Sequence, residues 1–243
     1  QRKDLAEFLM IDGMEEEICK TIDKLVTRKK SGDYTGGHLI VTGDAKTGKT
    51  YLVIEILKAV NAEVGHGNPR VAKVQAQALN GKNIKKVLSK VTDSDLVIEN
   101  IGKLEDDTVR DLISAVRESN SSTMVILEGN ALAADTMIRS FPDIARIFKT
   151  RIDIGELTLT QWADVAQKYA RGQGYSIDDV ALLALHAKIN AINTPDKRLG
   201  LKQVREIVDN AIEKSEKHSS SKLFSAFSSR NEDVIPLTEE DFM

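Results

Sequence analysis

Apolar residues recur at roughly helical spacing from the start of the chain. Leu5, Phe8, Ile18, Ile22 and Leu25 predict helix over residues 4–30. A turn-rich stretch at 31–37 (SGDYTGG) ends that pattern. The short apolar run at 38–42 then predicts a buried strand, followed by a glycine-rich loop and a helix over 49–61. A second strand is expected at 71–75 and a helix at 83–91. LVIE at 96–99 is a third strand, introduced by polar residues 92–95. Val109, Leu112, Ile113 and Val116 share one face of a helix over 106–119. MVILE at 124–128 predicts a fourth strand and residues 151–154 a fifth.

Short apolar strands alternating with helices are the pattern of βαβ units, in which a parallel sheet is covered on both faces. After residue 157 the pattern changes to three amphipathic helices, at 161–173, 176–191 and 200–214, with no strand expected between them. The reading is therefore an α/β subdomain with a parallel sheet over 1–156 and a small all-helical subdomain over 157–243. Residues 219–232 (SSSKLFSAFSSRNE) are Ser-rich and of low complexity, and predict a mobile loop. Beyond them Ile235 and Leu237 can pack back onto the helices.

Composition narrows the picture. With 243 residues, 41% of them hydrophobic, the chain can bury a sizeable core. The net charge of -3 supplies no global basic field, which argues against nucleic acid or an anionic membrane as partner. No apolar run approaches the roughly 18 residues of a membrane span. The single cysteine, Cys19, cannot form an internal disulfide, which fits a reducing, cytoplasmic setting. It has no base partner in sequence and is expected to be buried. The opening at Gln1 rather than Met reads as a piece of a longer protein. His38, His66, His186 and His218 lack metal-ligand spacing, and Lys82, Lys85, Lys86 and Lys90 read as a solvated helix face. Trp162 and Tyr169 share one helix and are expected to pack in its core.

The chemistry is concentrated at Gly43, Asp44, Ala45, Lys46, Thr47, Gly48, Lys49 and Thr50, which match GxxxxGK[ST] between a predicted strand and a predicted helix. Glycines let successive backbone N–H groups turn inward around phosphates, and the following helix directs its positive N-terminus at them. Lys49 can reach the β- and γ-phosphates of ATP or ADP, and the Thr50 hydroxyl can ligate Mg²⁺. ATPases of this class place an Asp at the end of a neighbouring strand to hold Mg²⁺, and many follow it with a Glu that polarises the attacking water. Here Glu99 stands at the first position and Asn100 at the second. Asn100 cannot act as a base, and general-base assistance is typically worth 10²–10⁴-fold, so hydrolysis is expected to be slow or negligible. Glu128 and Asp95 are the nearest other carboxylates in sequence, and neither stands where the base is expected.

These pieces together resemble an AAA+ ATPase, with the nearest likeness to the CbxX/CfqX group that includes stage V sporulation protein K. Residues 11–16 (IDGMEE) look like the family's opening turn near the adenine, which implies nucleotide contacts for Ile11 and Gly13. Residues 38–43 resemble the strand leading into the phosphate loop. Residues 125–154 lie without gaps on the family's strand, helix and arginine-finger stretch. Gly174-Tyr175 before a helix and LTEEDF at 237–242 look like the helical lid. The resemblance implies a polar sensor role for Asn130. It places the two finger arginines on Ala145 and Ile147, with Arg146 between them and Arg139 and Arg151 nearby. It puts Lys202 on the lid's sensor arginine, keeping the charge but losing the bidentate fork. No Phe, Tyr or Trp occurs from Leu52 to Ser140, so an aromatic, peptide-gripping pore loop is not expected.

The implied function is an ATP- or ADP-binding module of a larger protein. It is expected to be impaired in hydrolysis, with other AAA+ domains or subunits and a protein client as partners. A working ATPase in an oligomeric ring and an interaction module that has lost nucleotide are the alternatives.

Overall fold

A computed structural model describes residues 5–32, 34, 36–45, 47–91, 94–119, 121–194, 199–221 and 234–243. In chain order the elements are α1 (Ala6–Leu9), α2 (Met14–Ser31), β1 (Leu39–Gly43), α3 (Lys49–Glu63), β2 (Val71–Gln75), α4 (Ile84–Ser89) and β3 (Asp95–Glu99). They continue as α5 (Asp106–Arg117), β4 (Val125–Gly129), α6 (Ala131–Ser140), α7 (Asp143–Ile147) and β5 (Thr150–Ile154). The remainder is α8 (Leu159–Gly172), β6 (Tyr175–Ile177), α9 (Asp179–Ile192), α10 (Leu201–Ser221), β7 (Ile235–Leu237) and α11 (Glu239–Phe242).

Two units separate along the chain: residues 13–156, with the first five, and residues 157–243 together with 6–12. In the first unit five parallel strands lie in the order β2-β3-β4-β1-β5. Every residue of β1 and β4 is buried, so both faces of the sheet centre are covered by helices. The apolar stripe of α5 (Val109, Leu112, Ile113, Val116) is buried where its periodicity puts it. Leu52, Val53, Ile56, Leu57 and Val60 of α3 form a second buried face. The edge strand β2 is only half-buried and carries Lys73 in an exposed position, a charge that discourages pairing with another chain.

The second unit packs α8, α9, α10 and α11 around Trp162, Val165, Leu185, Ile189, Val204 and Val208, all buried. Side chains set its helix starts. Asp178 accepts from the Ala181 N–H at 2.7 Å, and Thr158 with Gln161, and Thr238 with Asp241, form capping boxes. Lys168 ties residues 6–12 to this unit through Asp12 at 2.5 Å and the Met10 carbonyl at 2.9 Å.

Four expectations are corrected. The N-terminal helix is two helices, because the chain turns at residues 10–13 before α2 begins. The second unit is not strand-free: β6 and β7 pair in parallel, with Tyr175 opposite Ile235 and Ile177 opposite Leu237. Three-residue strands, one of them holding Pro236, are too short for a period to register. Cys19 is exposed. Residues 219–221 complete α10 rather than opening a loop, and the rest of the Ser-rich segment, 222–232, lies outside the described residues. No described helix is long and apolar enough to cross a membrane.

Candidate phosphate-binding site

The loop begins where β1 passes between β4 and β5. A Cβ on Gly43 would lie 2.8 Å from the Ile154 carbonyl and 2.8 Å from Thr47 Oγ1, so only glycine lets the chain leave the sheet here. The Thr47 hydroxyl closes the turn by donating to the Asp44 carbonyl at 2.9 Å. Gly48 takes the left-handed conformation, φ 84°, and α3 starts at Lys49. The first-turn N–H groups of α3 therefore end in the loop, as anion binding requires. Ala45 is exposed, and Lys46 lies outside the described residues.

Lys49 turns back onto the loop, donating to the carbonyls of Gly43 at 3.0 Å and Asp44 at 2.6 Å. Burial pulls its ammonium below the usual range, opposed by the charges of Glu128 and Asp44. These carbonyls hold the charge near the position that a phosphate would take over.

Around Thr50 the strands supply the site. Its hydroxyl donates to Glu128 Oε2 at 2.8 Å and lies 3.4 Å from Glu99 Oε1. Glu128 comes from β4, where it stands opposite Val41, and is only 3% exposed. Its Oε1 is buried without a hydrogen-bond partner. Burial pushes its carboxyl above the usual range, with the charge of Glu99 adding to the rise; the Thr50 hydrogen bond and the charges of Lys49 and Lys73 oppose it. Gln75, opposite Glu99 in the β2–β3 register, donates to Glu99 Oε2. Its carbonyl accepts from Asn100 Nδ2 at 2.6 Å. Asn100 is left-handed, φ 60°. Asn130 Oδ1 accepts from the Ala133 N–H at 2.7 Å and so caps α6.

Gly43, Lys49, Gln75, Asn100, Glu128 and Asn130 line one cavity of about 860 Å³. The oxygen set around Thr50 is the chemistry of a Mg²⁺ site, and the orphaned Glu128 Oε1 is an acceptor such an ion would satisfy. Among the described residues no group of three or more His, Cys, Asp or Glu could hold a metal by itself.

Arg139, Arg146 and Arg151 of the first unit do not line this cavity. Arg146 is exposed on α7 and pairs at 3.3 Å with Asp143, which also binds Arg117 at 2.7 Å. Arg139 bonds the Asp135 carbonyl of its own helix at 3.3 Å, and Arg151 pairs with the Asp135 carboxylate at 2.5 Å. Gly13 sits at the start of α2 in the first unit. Ile11, buried, and Lys202, exposed and 3.6 Å from Glu206, belong to the second. Asp95 lies at the opening of β3, where its carboxylate accepts the Met124 N–H at 2.9 Å.

Gln75 is the residue sequence reading missed, and Glu128 was named there only as a nearby carboxylate that does not stand where the base is expected. Glu128 carries a usable signal, an acid inside an otherwise unbroken apolar strand, since burying a carboxylate without a purpose is costly. Gln75 has none, because its role depends on the β2–β3 register.

A parallel sheet of this order, with a phosphate loop after β1 and a mainly helical unit following in sequence, is the AAA+ P-loop NTPase fold. The chain is similar in structure to RuvB of Thermotoga maritima, a Holliday junction branch migration motor, with a TM-score of 0.54 and 13% identity over 96% of this chain and 67% of RuvB. A point variant of the same RuvB gives 0.54 and 14% over 96% and 68%. Neither a family model nor a curated protein sequence matches the chain.

Proposed function

We propose that this chain is a nucleotide-binding AAA+ module that holds ATP or ADP with Mg²⁺ at residues 43–50 and hydrolyses slowly or not at all. The observation that carries the reading is the pairing of a phosphate loop, with Lys49 and Thr50 in place, and Asn100 at the position of the base. Backbone N–H groups at the start of α3 bind phosphate oxygens, and Lys49 exchanges two carbonyls for them. Thr50, with Glu99 among the nearby carboxylates, would hold the cation, which would neutralise phosphate charge. Asn100, tied to Gln75, can orient a water but cannot take its proton. Asn130 serves as the polar sensor. Arg146, Ile11, Gly13 and Lys202 enter through the family resemblance, as do the CbxX/CfqX-like grouping, the 1–156 and 157–243 subdomain roles, the protein client and the cytoplasmic setting.

The test is a thermal shift with Mg-ATP and Mg-ADP beside a phosphate-release assay. Ligand at about 100 times its dissociation constant should stabilise the chain by about 2.7 kcal/mol, with no steady release. Lys49→Ala should remove most of that shift. No shift with either nucleotide sinks the reading and leaves the interaction module that has lost nucleotide.

A working ring ATPase is the second reading, favoured by the two carboxylates that converge on Thr50; steady release abolished in Lys49→Ala would establish it. RuvB's work on Holliday junctions makes DNA a partner class to test. The net charge of -3 and the pairing of Lys85 with Glu118 at 2.6 Å weigh against it.

A further inference from the structure

We infer that Glu128 of β4 is the principal carboxylate of the divalent-cation site, in the place that the acidic residue at the end of β3 was expected to fill. The inference rests on the nucleotide reading above and deepens it. Of the two acids near Thr50, Glu128 is the closer to its hydroxyl, 2.8 Å against 3.4 Å. A hydroxyl that donates to a carboxylate turns its lone pairs away from it and leaves them available to a cation. Glu99 already spends one oxygen on Gln75, whereas Glu128 keeps Oε1 buried and without a hydrogen-bond partner among the described residues. The residue is 3% exposed, so water does not compensate that oxygen as it would at the surface. Glu128 nevertheless lines the same cavity as Lys49 and Gly43. Thr50 and Glu128 would hold a divalent ion, which would supply the positive charge that the buried carboxylate lacks. Glu99, held by Gln75, would then be the secondary carboxylate of the site.

A purely structural Glu128, present only to accept from Thr50, predicts something different. Glu128→Gln keeps the shape and still offers an oxygen to the Thr50 hydroxyl, while removing the charge. The experiment is calorimetric titration of ADP into the full chain, in excess Mg²⁺ and in EDTA, for wild type, Glu128→Gln and Glu99→Gln. Melting of each protein without ligand serves as the fold control.

The wild type should bind ADP more tightly with Mg²⁺. Glu128→Gln should lose about tenfold or more of that tightening, the size seen when groups supporting a metal ligand are removed. It should bind ADP equally well or better in EDTA, and melt no lower than wild type because a buried charge is gone. Glu99→Gln should lose less. Glu128→Asp, which keeps the charge but draws it back, should retain part of the tightening and reads the same quantity if Glu128→Gln fails to fold. Retention of the full Mg²⁺ effect in Glu128→Gln, or its loss only in Glu99→Gln, overturns the assignment while leaving the nucleotide reading intact. So does a wild type that binds ADP equally with and without Mg²⁺. A wild type that binds ADP in neither buffer overturns both.

Discussion

His38 immediately precedes β1 and is a buried polar side chain, 2% exposed. Its Nδ1 accepts the Val125 N–H at 3.0 Å, which ties β1 to β4, while Nε2 is buried without a partner. Burial, helped by the charge of Arg28, pushes the imidazole down from 6.5 to about 3. An imidazole that refuses a proton when folded but takes one when unfolded stabilises the fold fully above the unfolded value. Its contribution is lost progressively as pH falls from 6.5 toward 3. Denaturant midpoints should therefore drop between pH 7.5 and pH 5, with a slope approaching about 1.4 kcal/mol per pH unit from this group. Asp95 and Glu128, whose carboxyls are pushed up by burial, act in the opposite direction. The His38 share is thus the difference between wild type and His38→Asn, whose side-chain oxygen can still accept from Val125; an unchanged slope in that variant would count against it. His38 was legible only as the residue that begins a strand. Glu128 was legible only as a nearby acid, because which carboxylate meets Thr50 is decided by strand order. The phosphate loop, by contrast, is a contiguous motif, and all eight of its residues were named from the sequence, with Lys46 lying outside the described residues.

At the scale of elements, the turn at Ile101–Lys103 is wedged between β4 and α6. A Cβ on Gly129 would lie 2.6 Å from Ile101 Cγ1 and 3.1 Å from its Cδ1, and Ile101 is itself 1% exposed. Neither neighbour has room to move, so Gly129→Ala should destabilise by about 1–3 kcal/mol in denaturant unfolding. Removing the obstruction with Ile101→Ala should make the double variant less damaging than the sum of the single ones. Strict additivity would mean that this contact does not govern the position of the turn. Because Asn100 immediately precedes the turn, the same wedge sets where the site's amide stands. The strands β1, β3 and β4 and the helices α3 and α5 were legible because each carries a continuous apolar run or a helical stripe, whereas α6 and α7 were not read from the apolar pattern. The β6–β7 pair was not, since its partners lie far apart in sequence and each is three residues long. The break before α2 was hidden as well, because apolar spacing runs through Ile11 without interruption.

At the scale of the whole molecule, ring assembly depends on an arginine free to reach a neighbouring subunit's phosphate. Each arginine near the expected finger position already has a partner within its own chain. Arg146 and Arg117 share Asp143, Arg151 holds the Asp135 carboxylate, and Arg139 bonds the carbonyl of the same residue. Arg146 is the most exposed of the three ion-paired arginines, and its bond to Asp143 is the longest of these ion pairs at 3.3 Å. An exposed pair of that kind is worth roughly 0–1 kcal/mol. Its release alone would therefore not prevent assembly; the mismatch between its register and the expected finger positions is the stronger argument. Light scattering with Mg-ATP should accordingly give the mass of one chain, 26.8 kDa. A hexamer would instead favour the ring ATPase, and Arg146→Ala would then discriminate further. Loss of phosphate release with assembly retained would make Arg146 the finger, whereas loss of assembly would make α7 part of the subunit contact.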